Sequence, residues 1–83
     1  MEMMSFTEIK RNPNITVFSI KRNAGNDWNV FFTITVKTDN GVYCEENLVK
    51  TQRGQARDFK TLDNAVRFVE SCGKTNKVTV LFD

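Results

Sequence analysis

Phe31 and Tyr43 stand in alternating stretches flanked by Lys21 and Lys37. Aromatic rings on an open strand surface can stack on unpaired bases, worth roughly 1–3 kcal/mol per base, while lysines track the phosphates. A second group of cations, Lys50, Arg53, Arg57 and Lys60, has Asp58 as the only acid among them. Lys10, Arg11, Lys21 and Arg22 make a further basic cluster. Both patches have the composition of phosphate-contacting surfaces, and both are also compatible with ordinary solvated charge. The formal net charge is only +2, because Glu2, Glu8, Glu45 and Glu46 dilute the field.

Catalytic chemistry has little to draw on. The chain contains no histidine, which excludes His-based acid–base, nucleophilic and metal chemistry. Two isolated cysteines, Cys44 and Cys72, cannot supply a zinc site of four Cys/His ligands. Gly25, Gly41, Gly54 and Gly73 are scattered, and no phosphate-cradling motif is present. Glu45 and Glu46 are adjacent on an expected strand, so they point to opposite faces and make a poor acid–base pair. The expectation is a protein that is not an enzyme and needs no metal or other cofactor.

The elements that must position the cations and rings follow from the apolar pattern. Trp28, Val30, Phe32, Ile34 and Val36 alternate with Asn29, Phe31, Thr33, Thr35 and Lys37, the two-residue period of a half-buried strand. Asp39-Asn40-Gly41 marks a turn, and a second strand runs from Val42 to about Thr51. A two-residue Asn40-Gly41 loop would pair Val36 with Glu45. A three-residue loop with Gly41 at positive φ would pair Val36 with Cys44 and Phe32 with Leu48. The second register sets apolar against apolar and is preferred, although it places Glu46 opposite Ile34 unless a bulge intervenes.

Ile15 to Arg22 reads as a strand whose facing is ambiguous, since odd and even positions are both apolar. Pairing Ile20 with Val30 across the Asn23–Asp27 loop also pairs Phe18 with Phe32. Thr61 reads as a helix N-cap, Leu62, Ala65, Val66, Val69 and Cys72 as its apolar stripe, and Gly73 as its end. Phe68 lies at the margin of that stripe. Lys77 to Phe82 reads as a last strand, which could pair within the sheet or across a dimer. Met3, Met4, Phe6 and Ile9 fit a short helix or an extended arm, with the extended reading preferred. Asn12-Pro13-Asn14 breaks whatever precedes it.

The resulting expectation is one α+β domain over residues 1–83, with 1–13 as an arm or edge strand. It is an antiparallel meander of three or four strands, one helix on one face and a C-terminal strand, in the order β-β-β-α-β. The covered face would hold Phe18, Ile20, Trp28, Val30, Phe32, Val36, Val42, Cys44 and Leu48. The open face would carry Val17, Ser19, Lys21, Phe31, Thr33, Thr35, Lys37, Tyr43, Asn47 and Val49. An open apolar sheet face in a chain of 83 residues invites a partner: a second copy, the N-terminal arm, nucleic acid or another protein. Cys44 and Cys72 are expected as small buried hydrophobes, and as a thiol pair only if they meet. No stretch approaches the roughly 20 apolar residues of a membrane span. The N-terminus lacks the pattern of a signal peptide, and reduced thiols suit a cytoplasmic setting.

The run Arg53 to Val69, R-G-Q-A-R-D-F-K-T-L-D-N-A-V-R-F-V, resembles a pattern in small proteins encoded by bacterial plasmids and other mobile elements. There an R-G-x-x-R-x-F-K-S/T-L-D-x-A run joins a hairpin to a helix and a last strand. The resemblance implies an accessory role in maintenance, transfer or regulation and carries no catalytic residue. In this pattern Phe59 would plug the helix start into the core while Arg53 and Arg57 stay free to bind. The element order also resembles, more distantly, small sheet-plus-helix proteins that bind single-stranded DNA, such as the whirly family. The leading expectation is therefore a single-stranded-DNA-binding accessory protein using Lys21, Phe31, Lys37, Tyr43, Lys50, Arg53, Arg57 and Lys60. The alternative is a dimerisation module or an inhibitor of a host protein.

Overall fold

A computed structural model describes residues 3–74 and 77–82, apart from the side chain of Thr16. Among the described residues the elements run β1 (Met3–Met4), α1 (Phe6–Arg11), β2 (Ile15–Arg22), β3 (Trp28–Thr38), β4 (Gly41–Val49), α2 (Leu62–Cys72) and β5 (Thr79–Leu81). They form one sheet in the order β1-β4-β3-β2-β5. The α+β class is as expected, and β2, β3 and β4 do form an antiparallel meander. The sheet as a whole is mixed, because β1 lies parallel to β4 and β5 parallel to β2. A second helix, α1, also departs from the one-helix expectation.

The connectivity explains the parallel edges. A helix returns the chain along the sheet, so the strand after it runs parallel to the strand before it. β4-α2-β5 is one such unit and β1-α1-β2 another. Each steps three places along the sheet in the same direction. A common crossover handedness therefore puts both helices on one face. Phe6 of α1 packs edge-on against Phe68 of α2, with ring centroids 5.5 Å apart.

Local signals set the helices. Thr61 Oγ1 accepts the Asn64 N–H at 3.2 Å, and Gly73 ends α2 at φ 67°. Ala65, Phe68, Val69 and Cys72 are buried. Phe68 lies in the core, against Phe59 at 5.4 Å, where a marginal position was expected. Phe59 exchanges two 2.8 Å backbone hydrogen bonds with Trp28, which ties the loop before α2 to the start of β3. At the other helix, the Ser5 N–H and hydroxyl both donate to Glu8 Oε1 and hold the first turn closed. Ile9 carries α1 into the core, fully buried. The N-terminal segment is thus a two-residue strand followed by a helix; residues 1–2 of the expected arm lie outside the described residues.

The β2–β3 register is as expected, with Ile20 opposite Val30 and Phe18 opposite Phe32. A bulge between Ile15 and Val17 resolves the ambiguous facing of β2: Ile15 is buried, while Val17 is 53% exposed. The β3–β4 register matches neither expectation. Thr38 pairs with Gly41, Val36 with Tyr43, Ile34 with Glu45 and Phe32 with Asn47. Asp39 and Asn40 alone form the tip. The Thr38 hydroxyl braces it, accepting the Asn40 N–H and donating to the Gly41 carbonyl, each at 3.2 Å. Gly41 takes φ +130°, a conformation that L side chains rarely adopt, with nothing near its missing Cβ.

This register is one residue away from the preferred one, so every β4 side chain changes face. Asn47 and Val49 are fully buried, whereas Val42 is 64% exposed and Cys44 is exposed. Asn47 Nδ2 donates to the Glu45 carbonyl at 3.2 Å. Glu46 points to the open face and meets Lys21, so the expected clash with Ile34 does not arise. Cys44 lies on the open face and Cys72 in the core, so the two thiols do not meet.

The register carries a direct stability test. Asn47→Lys buries a charge and should cost more than about 3 kcal/mol in denaturant unfolding, whereas Leu48→Lys should cost no more than about 1 kcal/mol. The reverse ranking would restore the expected register.

Candidate nucleic-acid interface

The residues expected to form one binding face are divided by the fold. On the open face, the Lys21 ammonium sits 4.5 Å from the Phe31 ring centroid and 3.2 Å from Glu46 Oε1. Phe31 is half-buried, opposite Leu48 and beneath this lysine. Lys37 is exposed on the same face, opposite Val42 near the hairpin tip. Tyr43 pairs with Val36 and therefore lies on the opposite, helix-bearing side, where it is 50% exposed. The expected Phe31–Tyr43 stacking platform on one face is thus not assembled. The physical cause is the register, which gives Phe31 an even-numbered neighbour on β4 and Tyr43 an even-numbered neighbour on β3.

The loop cations converge better. Arg57 is held over two buried rings, with its guanidinium carbon 5.0 Å from the centroid of Phe59 and 5.1 Å from that of Phe68. Such stacking orients a guanidinium without neutralising it. Arg57 forms a wall shared by two open grooves. The first, about 530 Å³, lies between the start of α1, the end of β4 and α2, and is lined by Lys50, Arg57, Thr51, Ser71, Phe6 and Glu8, among others. The second, about 480 Å³, brings Arg57 together with Lys60, Arg67 and Asn64. Arg53 is exposed in the turn that Gly54 closes at φ +86°. Neither groove includes Arg53 among its lining residues.

Arg67 was missed by sequence reading. It lies on the polar side of α2, where a single arginine in an amphipathic helix reads as solvated charge. Its spacing from Asn64 and Ser71, one turn away on each side, was the signal that they share a face.

Three acids temper this basic wall, one of them Asp58, which lines the second groove. Lys60, whose side chain is 83% exposed, reaches Asp27 Oδ2 at 3.2 Å. Lys50 Nζ is 3.7 Å from Glu8 Oε1. Exposed pairs of this kind contribute about 0–1 kcal/mol, so an incoming phosphate can compete for either lysine. The Ser5 N–H bond and then the Ser5 hydroxyl hold the Glu8 carboxyl below its ordinary value of 4.5, against desolvation, with Lys50 adding a weaker lowering. Burial pushes the Cys72 thiol up, with Lys10 and Lys74 opposing, so Cys72 is a poor nucleophile. Among the described residues no group of three or more Cys, Asp or Glu could hold a metal ion, and no helix is long and apolar enough to cross a membrane.

A carboxyl lowered by folding stabilises the fold above its unfolded pKa, and that contribution is lost as pH falls through the lower folded value. Wild type should therefore melt higher than Glu8→Gln at neutral pH, and the gap should close as pH falls below about 4.5. A gap that stays constant in thermal melts across that range would remove Glu8 ionisation from the stability of α1.

No family model and no curated protein matches this chain.

Proposed function

We propose that this chain is a small nucleic-acid-binding accessory protein, acting on single strands through the basic grooves around Arg57. One observation carries the reading: Lys50, Arg57, Lys60 and Arg67 meet along two adjoining grooves, with Arg57 pre-oriented over Phe59 and Phe68. Cations track a phosphate backbone, and the polar lining (Thr51, Asn64 and Ser71) offers hydrogen bonds to phosphate and sugar oxygens. Flexible single strands can follow such a wall. Arg53, on the adjacent exposed turn, extends the positive field. Lys21, Phe31 and Lys37 form a separate, weaker contact surface on the open sheet face, where Glu46 competes for Lys21.

The reading places the protein in the cytoplasm of a bacterium, as an accessory of a plasmid or other mobile element, in keeping with the Arg53–Val69 run. A second reading is a module that binds another protein. It is favoured by the exposed apolar residues of the open face: Met3, Val17, Val42 and Leu81 are each at least 40% exposed.

Anisotropy titration against a single-stranded oligonucleotide separates these. Binding should weaken about tenfold in Arg57→Ala, and the slope of log K against log salt should shrink by about 0.7 for that lost contact. Arg67→Ala should act in the same direction. Phe31→Ala should change affinity less than either. Loss of affinity confined to Phe31→Ala would move the site to the sheet, and absence of binding at low salt would favour the protein partner.

A further inference from the structure

We infer that the free edge of β4 is a self-complementary interface, pairing antiparallel with β4 of a second copy about Cys44. β1 covers only Leu48 and Val49, so from Gly41 to Asn47 the strand has no neighbour on that side among the described residues. The exposed backbone groups can be assigned. The Lys50 N–H donates to the Met4 carbonyl at 2.9 Å, so even-numbered positions of β4 face the β1 side and odd-numbered ones face β3. Val42, Cys44 and Glu46 thus offer their N–H and C=O groups to a partner strand. Such an edge is ordinarily blunted by charge, and Glu45 and Glu46 stand on it.

Two-fold antiparallel pairing must match even positions with even positions, which leaves three central registers. Centring on Glu45 sets that carboxylate against its own copy and is unfavourable. Centring on Tyr43 leaves Glu45 opposite Gly41, with no partner for its charge. Centring on Cys44 sets Tyr43 opposite the second copy's Glu45, within reach of a phenol-to-carboxylate hydrogen bond. It also sets Val42 opposite the second copy's Glu46. Lys37 stands beside Val42 in the same row, one strand further in. Lys21 already crosses an intervening strand to reach Glu46 within the chain, lying over Phe31 as it does so. By the same reach Lys37 meets the second copy's Glu46. Lys37, Tyr43 and Glu45 have no side-chain hydrogen bond or ion pair among the described residues, so all three are available. Every contact off the axis occurs twice, and the edge acids become partners instead of guards.

The two-fold axis stands normal to the sheet, so both open faces lie on the same side of one continuous ten-stranded sheet, twice the five strands of a single chain. This inference is independent of nucleic-acid binding. Hydrogen-bonded antiparallel pairs hold Cα atoms about 5.5 Å apart, with Cβ atoms wider than the roughly 3.5–4.5 Å of a relaxed disulfide, so a short bismaleimide is the fitting link between the two thiols. Air-free full-length protein should sediment as a dimer, and a short bismaleimide should convert it to a covalent dimer on denaturing gels. Cys44→Ser should abolish the covalent link and keep the sedimenting dimer, while Cys72→Ser should keep the link. Lys37→Glu, at an exposed position remote from the core, should weaken dimerisation about tenfold with an unchanged circular dichroism spectrum. A monomer up to near-millimolar concentration, a dimer that Cys44 does not link, or a dimer indifferent to Lys37→Glu would each overturn the pairing.

Discussion

Phe32 faces Asn47 across β3 and β4, and that pairing determines the side of the sheet on which every β4 residue falls. Alternation along a strand is strict, so a slip of one residue exchanges the two faces completely. Val49 reaches the core in the observed register and not in the preferred one, beside Val30 and beneath helices that also bury Ile9 and Phe68. Asn47 accompanies it into the interior, its side-chain amide hydrogen-bonded to the Glu45 carbonyl. A satisfied buried amide is affordable where an orphaned one is not. The same slip turns Glu46 toward Lys21 and leaves Val42 and Cys44 in solvent.

The helices cover the sheet unevenly. α2 packs against β2 and β3, and α1 packs against α2. The β3–β4 hairpin extends away from that cover, and the long axis of the molecule reaches 41 Å. Val36 and Tyr43 therefore lie on the helix-bearing side without a helix above them. The basic grooves form at the opposite end of β4, where the chain leaves the sheet, bridges back through Lys50–Ala56 and Trp28–Phe59, and enters α2. Short bridges of this kind hold the Arg53–Lys60 loop on the body of the protein. Arg57 is consequently positioned by two rings instead of hanging from a free loop.

The parts of this fold that local chemistry encodes were legible in the chain. Thr61 and Gly73 mark α2 through a hydroxyl acceptor and a left-handed residue, and both act as such. The Ile20–Val30 and Phe18–Phe32 pairs follow from matching two apolar rows across one loop. The β3–β4 register was not legible, because its decisive contacts are not apolar matches. The Thr38 hydroxyl shortens the tip by bonding the Asn40 N–H and the Gly41 carbonyl, and the gain from burying Val49 depends on where distant helices lie. α1 was hidden for a related reason: six residues are too few for a periodic signal, and Ser5 with Glu8 was the cue that could have revealed it. At the candidate site the loop cations were visible by composition, but the division between Lys21–Phe31 and Arg57 needed the register, and Arg67 needed the grooves.

The most direct test of the β3–β4 register is cross-strand nuclear Overhauser contact between α protons. Pairs that exchange no hydrogen bonds bring their α carbons to about 4.5 Å, close enough for strong signals. The observed register predicts strong α-proton contacts for Phe31–Leu48, Thr33–Glu46 and Thr35–Cys44. Contacts joining Phe32 to Leu48, or Phe31 to Val49, would contradict it and return β4 to the opposite face.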